Sequence, residues 1–174
     1  MTQERHCSNC QLCCRLLPVE EIRKPAGDRC PKQRHHIGCT IYAQRPSSCR
    51  LWNCRWLLND DTADIGRPDH CHYVIDVMPD VVGVQGKMTP CVVVWVDPAY
   101  PDSHRDPALR RYIERRAQED DMLTMVRYDA FKSIVIFAPS TNPDNKWYEI
   151  KTDANNSPEF KERAEAHKRF WKTP

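Results

Sequence analysis

The sequence predicts an α+β fold, and three observations carry that prediction. Eight of the ten cysteines fall within the first 54 residues, a stretch with little hydrophobic periodicity. Downstream, Tyr73–Met78, Val81–Gln85 and Cys91–Val96 are short runs with the β-branched and aromatic character of strands. Asp106-Pro107 and Ser157-Pro158 each place a capping side chain before a proline, which is how helices begin. The expected architecture is a cysteine-rich, metal-organised module over residues 1–60, packed on a small, mostly antiparallel sheet with two helices over residues 68–174.

The cysteine cluster asks for a chemical reason. Cys7-Ser-Asn-Cys10-Gln-Leu-Cys13-Cys14 is followed by Cys30, Cys39, Cys49 and Cys54. A disulfide framework needs an oxidising compartment. The opening residues, Met1 to His6, show no apolar targeting run. Cys13 and Cys14 are also adjacent, and a bridge between neighbours is strained. Ordinary core cysteine fits one or two positions, but not a run set among Ser, Asn, Gln and Arg. Metal ligation fits the spacing. Cys-x2-Cys brings two thiolates to one ion through a tight turn, with backbone N–H groups aimed at the sulfurs.

All-thiolate sites suit both Zn²⁺ and Fe–S clusters. Structural zinc usually draws two cysteines from each of two knuckles. Here Cys7, Cys10 and Cys13 come from one continuous loop, closer to the loop that wraps a [4Fe–4S] cluster. The expected cofactor is therefore a [4Fe–4S] cluster, with one or two Zn²⁺ as the alternative. Cys13 and Cys14 point in different directions, so each can serve a separate centre. The eight sulfurs are enough for a cluster plus a zinc ion, or for two zinc ions.

Cys7-x2-Cys10-x2-Cys13-Cys14-Arg15, then Gly38-Cys39-Thr40-Ile41-Tyr42, then Arg45-Pro46-x2-Cys49-Arg50 and Cys54, resembles the CxxCxxCC cysteine-cluster family of zinc- or iron-chelating proteins. The resemblance covers about the first 60 residues. It implies metal chelation or an Fe–S oxidoreductase-like role. Some members of that family look like parts of protein-modifying enzymes such as flagellin lysine methylases. Many members carry Gly after the second cysteine; Gln11 stands there in this chain and removes no ligand.

Composition narrows the partners. A formal net charge of +2 gives no basic field to draw nucleic acid. No apolar run approaches the roughly 18–20 residues of a membrane span. The expectation is a soluble, cytoplasmic chain whose partner is a metal ion or cluster, with a protein as the other candidate. A loop-rich segment such as residues 1–60 cannot fold on core burial alone, so metal ligation there should be coupled to folding.

The elements follow in order. Cys14–Pro18 reads as a short strand or helical turn, and Val19–Ile22 as one helical turn. His35 and His36 read as exposed loop residues, since the sulfurs suffice as ligands. Ser47 or Ser48 should cap a short helix. Arg50 and Arg55 are candidates to offset thiolate charge. Trp52, Trp56, Leu57 and Leu58 should pack the module against the rest. Residues 59–68 read as a linker. His70-Cys71-His72 reads as the start of a strand, with the two imidazoles on one face and the thiol on the other.

Pro79-Asp80 is the expected turn between the first two strands. Val92–Val96 reads as a central strand, with Cys91 in the core. A helix is expected over Pro107–Gln118, with Leu109, Tyr112, Ile113 and Ala117 inward and its arginines solvated. A hairpin follows around Asp129-Ala130, then a strand over Lys146–Lys151. A last helix carries Phe160, Ala164, His167, Phe170 and Trp171. There is no nucleotide loop and no Ser/His/Asp motif, and no catalytic residue is identified. Two functions fit: a redox or enzyme-accessory Fe–S protein, or a structural zinc module for interaction or metal handling.

Overall fold

The computed structural model describes residues 5–152 except 8, 36, 59, 78 and 79, together with positions 162, 165, 166 and 169. The N-terminal part is short pieces: α1 (Leu12–Leu16), β1 (Gln33–Arg34), β2 (Gly38–Cys39), α2 (Ser47–Leu51), α3 (Arg55–Leu58) and α4 (Pro68–Cys71). The rest is β3 (Tyr73–Ile75), β4 (Asp80–Val84), β5 (Lys87–Val96), α5 (Pro107–Asp120), β6 (Leu123–Arg127), β7 (Ser133–Phe137) and β8 (Tyr148–Lys151). The fold is α+β with a small, mostly antiparallel sheet, as the sequence predicts.

The sheet is built on β5. On one side it pairs antiparallel with β4 through Lys87–Cys91 and with β3 through Val94–Val96. On the other it pairs parallel with β6, which continues antiparallel to β7 and then β8. Of the expected turn at Pro79-Asp80, Pro79 lies outside the described residues, and Asp80 belongs to β4 rather than to a turn. β3 and β4 do not pair with each other but follow the same edge of β5. Ile75 stands opposite Val94 and Asp80 opposite Cys91, so the register steps by two residues between them. The reversal comes at Gln85-Gly86, where both residues have positive φ, 49° and 80°. That is the hairpin turn whose twist matches the strands, and Gly supplies one of the two left-handed positions without strain.

The parallel pair is joined by α5. Asp106 caps that helix by accepting from the Ala108 N–H at 3.0 Å, and Pro107 follows in its first turn. Leu109, Tyr112, Ile113 and Ala117 are buried, as expected. The helix runs to Asp120, two residues beyond the expected end. The hairpin at Asp129-Ala130 is also as expected: the Asp129 carboxylate accepts from the Phe131 and Lys132 N–H groups, both at 2.7 Å.

Period-two alternation along β5 explains why the strand is apolar throughout. Val92, Val94 and Val96 join α5 in one core with Val126, Ile134 and Ile136. Cys91, Val93 and Trp95 face the other way, with Leu123, Met125 and Val135. That second core is completed by Leu12, Leu16 and Cys54, with Trp52, Trp56 and Leu57 packed against it. The sheet thus lies between α5 and the cysteine module. Leu58, expected in this packing, is exposed instead.

Polar ties fix the module to the sheet. Arg15 pairs with Asp97, 1% exposed at the end of β5, at 2.9 Å. Trp52 Nε1 donates to Asp76 at 2.9 Å. Gly27, at φ 82°, lies where an added Cβ would stand 3.6 Å from the Cβ of Asp129 in the β6–β7 turn. The stretch read as a linker is also anchored. Thr62 is fully buried, Trp56 Nε1 donates to the Ile65 carbonyl, and Arg115 donates to the Asp61 carbonyl. The expected C-terminal helix stripe from Phe160 to Trp171 lies outside the described residues.

Candidate metal centre

Each sulfur is delivered by a short local element. Cys7 and Cys10 bracket a tight turn, closed by the Cys10 N–H donating to the Cys7 carbonyl at 2.7 Å. Cys13 and Cys14 then occupy successive positions of α1, about 100° apart around its axis, and so diverge. The Cys30 N–H donates to the Cys14 carbonyl at 3.0 Å, which brings the second cysteine loop against the first. Cys30 leads into the β1–β2 hairpin, which carries Cys39 opposite Gln33. Cys49 lies within α2, and Cys54 directly precedes α3.

Gln11 clamps the two loops. Its amide donates to the Arg34 carbonyl at 3.0 Å and accepts from Gln33 at 2.5 Å. The helix bearing Cys49 is not capped by Ser47 or Ser48. Glu21 reaches its N-terminus instead, accepting from the Ser48 N–H and hydroxyl at 2.9 and 2.8 Å.

The sulfurs fall into two neighbourhoods. Cys10 and Cys54 both pack into the cluster under the sheet, and the Leu57 N–H donates to the Cys54 carbonyl at 3.0 Å. Cys10 and Cys54 lie in each other's field, as do Cys54 and Cys7. Cys13 feels both Cys10 and Cys7. Cys49 instead feels Cys14 and Cys30. The two sets meet at the Cys13–Cys14 peptide, where the Cys13 thiol donates to Cys14, and Cys7 also feels Cys14. Cys39 belongs with the second set by the hairpin it shares with Cys30.

Burial raises the Cys7, Cys49 and Cys54 thiols and pushes Cys10 to about 11. The Cys13–Cys14 hydrogen bond raises Cys13, with burial adding to it. The same bond brings Cys14 down to about 7 against the opposing pull of burial, helped by Lys24 and Arg45. All ten thiols are free. Among the described residues, no three His, Cys, Asp or Glu side chains are placed so that they could hold a metal ion.

The charge partners differ from those expected. Arg55 turns to the Tyr112 hydroxyl at 2.9 Å and to Asp61, and Arg50 bonds Ser47 on the surface. Arg45 lies near Cys7 and Cys14, and Arg67 lies near Cys7 and Cys10. The cation missed by the sequence reading is Lys24, 2% exposed. Its ammonium donates to the Arg15 carbonyl at 3.2 Å and to that of Leu17, at the open end of α1. Burial lowers it to about 8, opposed chiefly by the nearby Cys30 and Cys14. Nothing in the sequence singles it out among the nine basic residues between positions 15 and 58.

No family model, curated protein or solved structure matches this chain. The likeness to the cysteine-cluster family therefore stands on the cysteine pattern alone. Among the described residues no helix is long and apolar enough to cross a membrane.

The other candidates resolve as structural. His70-Cys71-His72 is not a strand: Cys71 ends α4, and His72 is left-handed at φ 64°. His70 is exposed, and His72 stacks on Tyr100 with ring centroids 3.6 Å apart. The Cys71 thiol donates to the Gly66 carbonyl at 3.3 Å, and burial pushes it to about 12. His35 is an exposed loop residue, as expected, and His36 lies outside the described residues. Cys91 is fully buried. In the loop before α5, His104 is buried. It bonds the Pro101 carbonyl at 2.7 Å, with Tyr128 and Glu149 around it.

Proposed function

We propose that the N-terminal cysteines hold metal in two neighbouring all-thiolate centres, and that the protein serves redox chemistry directly or as accessory to a modifying enzyme. Cys7, Cys10, Cys13 and Cys54 are assigned to a [4Fe–4S] cluster, and Cys14, Cys30, Cys39 and Cys49 to Zn²⁺. One observation carries this reading. A tight turn and the first turn of α1 deliver Cys7, Cys10 and Cys13 in succession, and Cys10 and Cys54 pack into the same cluster under the sheet. Cysteines at that spacing suit thiolate ligation of one centre.

A bound cluster supplies one-electron chemistry. The chain's residues do the rest. Trp52, Trp56 and Leu57 keep water from the inner side of the first set. Cys7 is exposed, which leaves that set open to an approaching protein partner. Ligation requires thiolates, so the protons now on Cys10, Cys13 and Cys54 must leave, and the Cys13–Cys14 hydrogen bond must give way.

The partition of the sulfurs into two sets also favours a second reading, two structural zinc ions and no redox centre. Metal analysis with a visible spectrum, on protein purified without oxygen, separates them. About four irons per chain and a brown colour bleached by dithionite support the first. About two zincs and a colourless solution support the second. Protein that binds neither metal sinks both.

A further inference from the structure

The cysteine module covers the second face of the sheet as far as β7 and stops there. Cross-paired residues lie on one face of a sheet, so Tyr148 and Ile150 of β8 share the face of their partners Phe137 and Val135. Val135 is buried in the core beneath the module, and Phe137 packs against that core. Tyr148 and Ile150 are instead 45% and 55% exposed. Phe137 also lines a cleft of about 290 Å³ with Val84, Lys87 and Leu123, which carries the same face toward the β4–β5 turn. The result is an apolar shelf along the β8 edge. Other exposed apolar side chains do not extend it. Val81 and Met88 alternate onto the α5 side, and Ile37, Tyr42, Leu51 and Leu58 lie in the module.

The chain's own continuation supplies an occupant. Residues 152–174 follow β8 directly. Among them Glu162, Glu165, Ala166 and Arg169 are helical and exposed. Their spacing of i, i+3, i+4 and i+7 marks one side of a helix. At about 100° per residue, Phe160, Ala164, His167 and Trp171 have the spacing of the opposite side. A helix this short is marginal in water unless its apolar side meets a surface. From Phe160 to Trp171 it measures about 17 Å, close to the span of the five-residue β7. Residues 152–159 reach up to about 26 Å when extended, enough to turn back over the sheet. We propose that the shelf on β7 and β8 is the docking surface of the chain's own C-terminal helix, with Phe160, Ala164, His167 and Trp171 laid over Phe137, Tyr148 and Ile150. The helix then covers the strip of the sheet that the module leaves open. No cysteine takes part, so the assignment is independent of the metal-binding reading.

Hydrogen exchange of the full chain, read by mass spectrometry, tests the contact from both sides. Ile150→Asp puts a charge on the shelf at an exposed position. Phe160→Asp combined with Trp171→Asp puts charges on the helix. The expected result is reciprocal. Ile150→Asp speeds exchange in residues 158–172 by at least about tenfold, and the paired helix substitution speeds it in residues 146–152 to a similar degree. Met88→Asp, exposed on the opposite face, changes neither segment. Protection in β5 is followed in every sample to show that the sheet is folded, and Ile150→Thr replaces Ile150→Asp if that protection falls. Exchange at residues 158–172 that is unprotected in the wild type, or unchanged when Ile150 is substituted, overturns the proposal. Coupling that appears only as protein concentration rises, with a dimer in size-exclusion chromatography, also overturns it and gives the shelf to a second copy of the chain.

Discussion

Cys10 and Cys91 are both enclosed thiols that burial pushes to about 11, yet their surroundings differ in kind. Cys10 closes a tight turn with Cys7 and lies in the field of Cys54. Cys91 sits on β5 between β4 and β6, with no other sulfur among its electrostatic neighbours. On the proposed reading, Cys10→Ser loses the metal of the first centre and the order of the N-terminal module, read by metal analysis and circular dichroism. Cys91→Ser leaves metal content unchanged and costs about 1–3 kcal/mol of stability through a buried hydroxyl, read by denaturant unfolding. The sulfurs were legible because ligand spacing is written along the chain. Lys24 was not, because its relation to Cys30 and Cys14 exists only through space. Arg50 and Arg55, adjacent to cysteines in sequence, point elsewhere for the same reason.

At the level of elements, local signals succeeded where one side chain decides a boundary. Asp106 is such a case. One oxygen caps α5, and the other accepts the buried Tyr73 hydroxyl at 2.8 Å. Asp106→Ala should lose about 1 kcal/mol for the cap and a further 1–3 kcal/mol, roughly, for the stranded hydroxyl, measured by thermal or urea unfolding. Signals failed where two turns competed. Pro79-Asp80 looks like a turn, while Gln85-Gly86 needs two left-handed residues and Gln does not advertise one. The sequence of α4 misled similarly: Arg67-Pro68-Asp69 begins a helical turn, with Pro68 at its first position, which the histidines beside Cys71 obscured.

The β8 edge carries a pH dependence of its own. Burial opposes ionisation of Glu149, but hydrogen bonds from Arg105, Arg110 and His104 outweigh it and hold the carboxyl down to about 2. A folded value below the unfolded one means stability is present above the ordinary value of 4.5 and drains away as pH falls toward about 2. Glu149→Gln should flatten the fall in melting temperature across that window. An unchanged slope would show that other carboxylates set the acid limit.

For the molecule as a whole, the decisive relation is that β5 and β6 are parallel and buried on both faces. Parallel strands need cover on each side. The helix α5 supplies one cover, and the cysteine module supplies the other. The sequence showed a continuously apolar β5 but not what would lie on its second face, since that cover is made of short pieces brought there only through space. On the proposed reading, stripping metal with a chelator should loosen the module and uncover Val93, Trp95, Met125 and Val135. A hydrophobic dye should then bind, and restoring zinc should release it.

The two-sided burial of β5 has a thermodynamic reach beyond the cysteines. A ligand held only by the native state stabilises everything that unfolds with it, in proportion to the logarithm of its free concentration. On the proposed reading the six-stranded sheet, which carries none of the assigned ligands, would then melt at a temperature set by metal supply. In a metal-poor setting the strands would be the part of the chain that proteases reach.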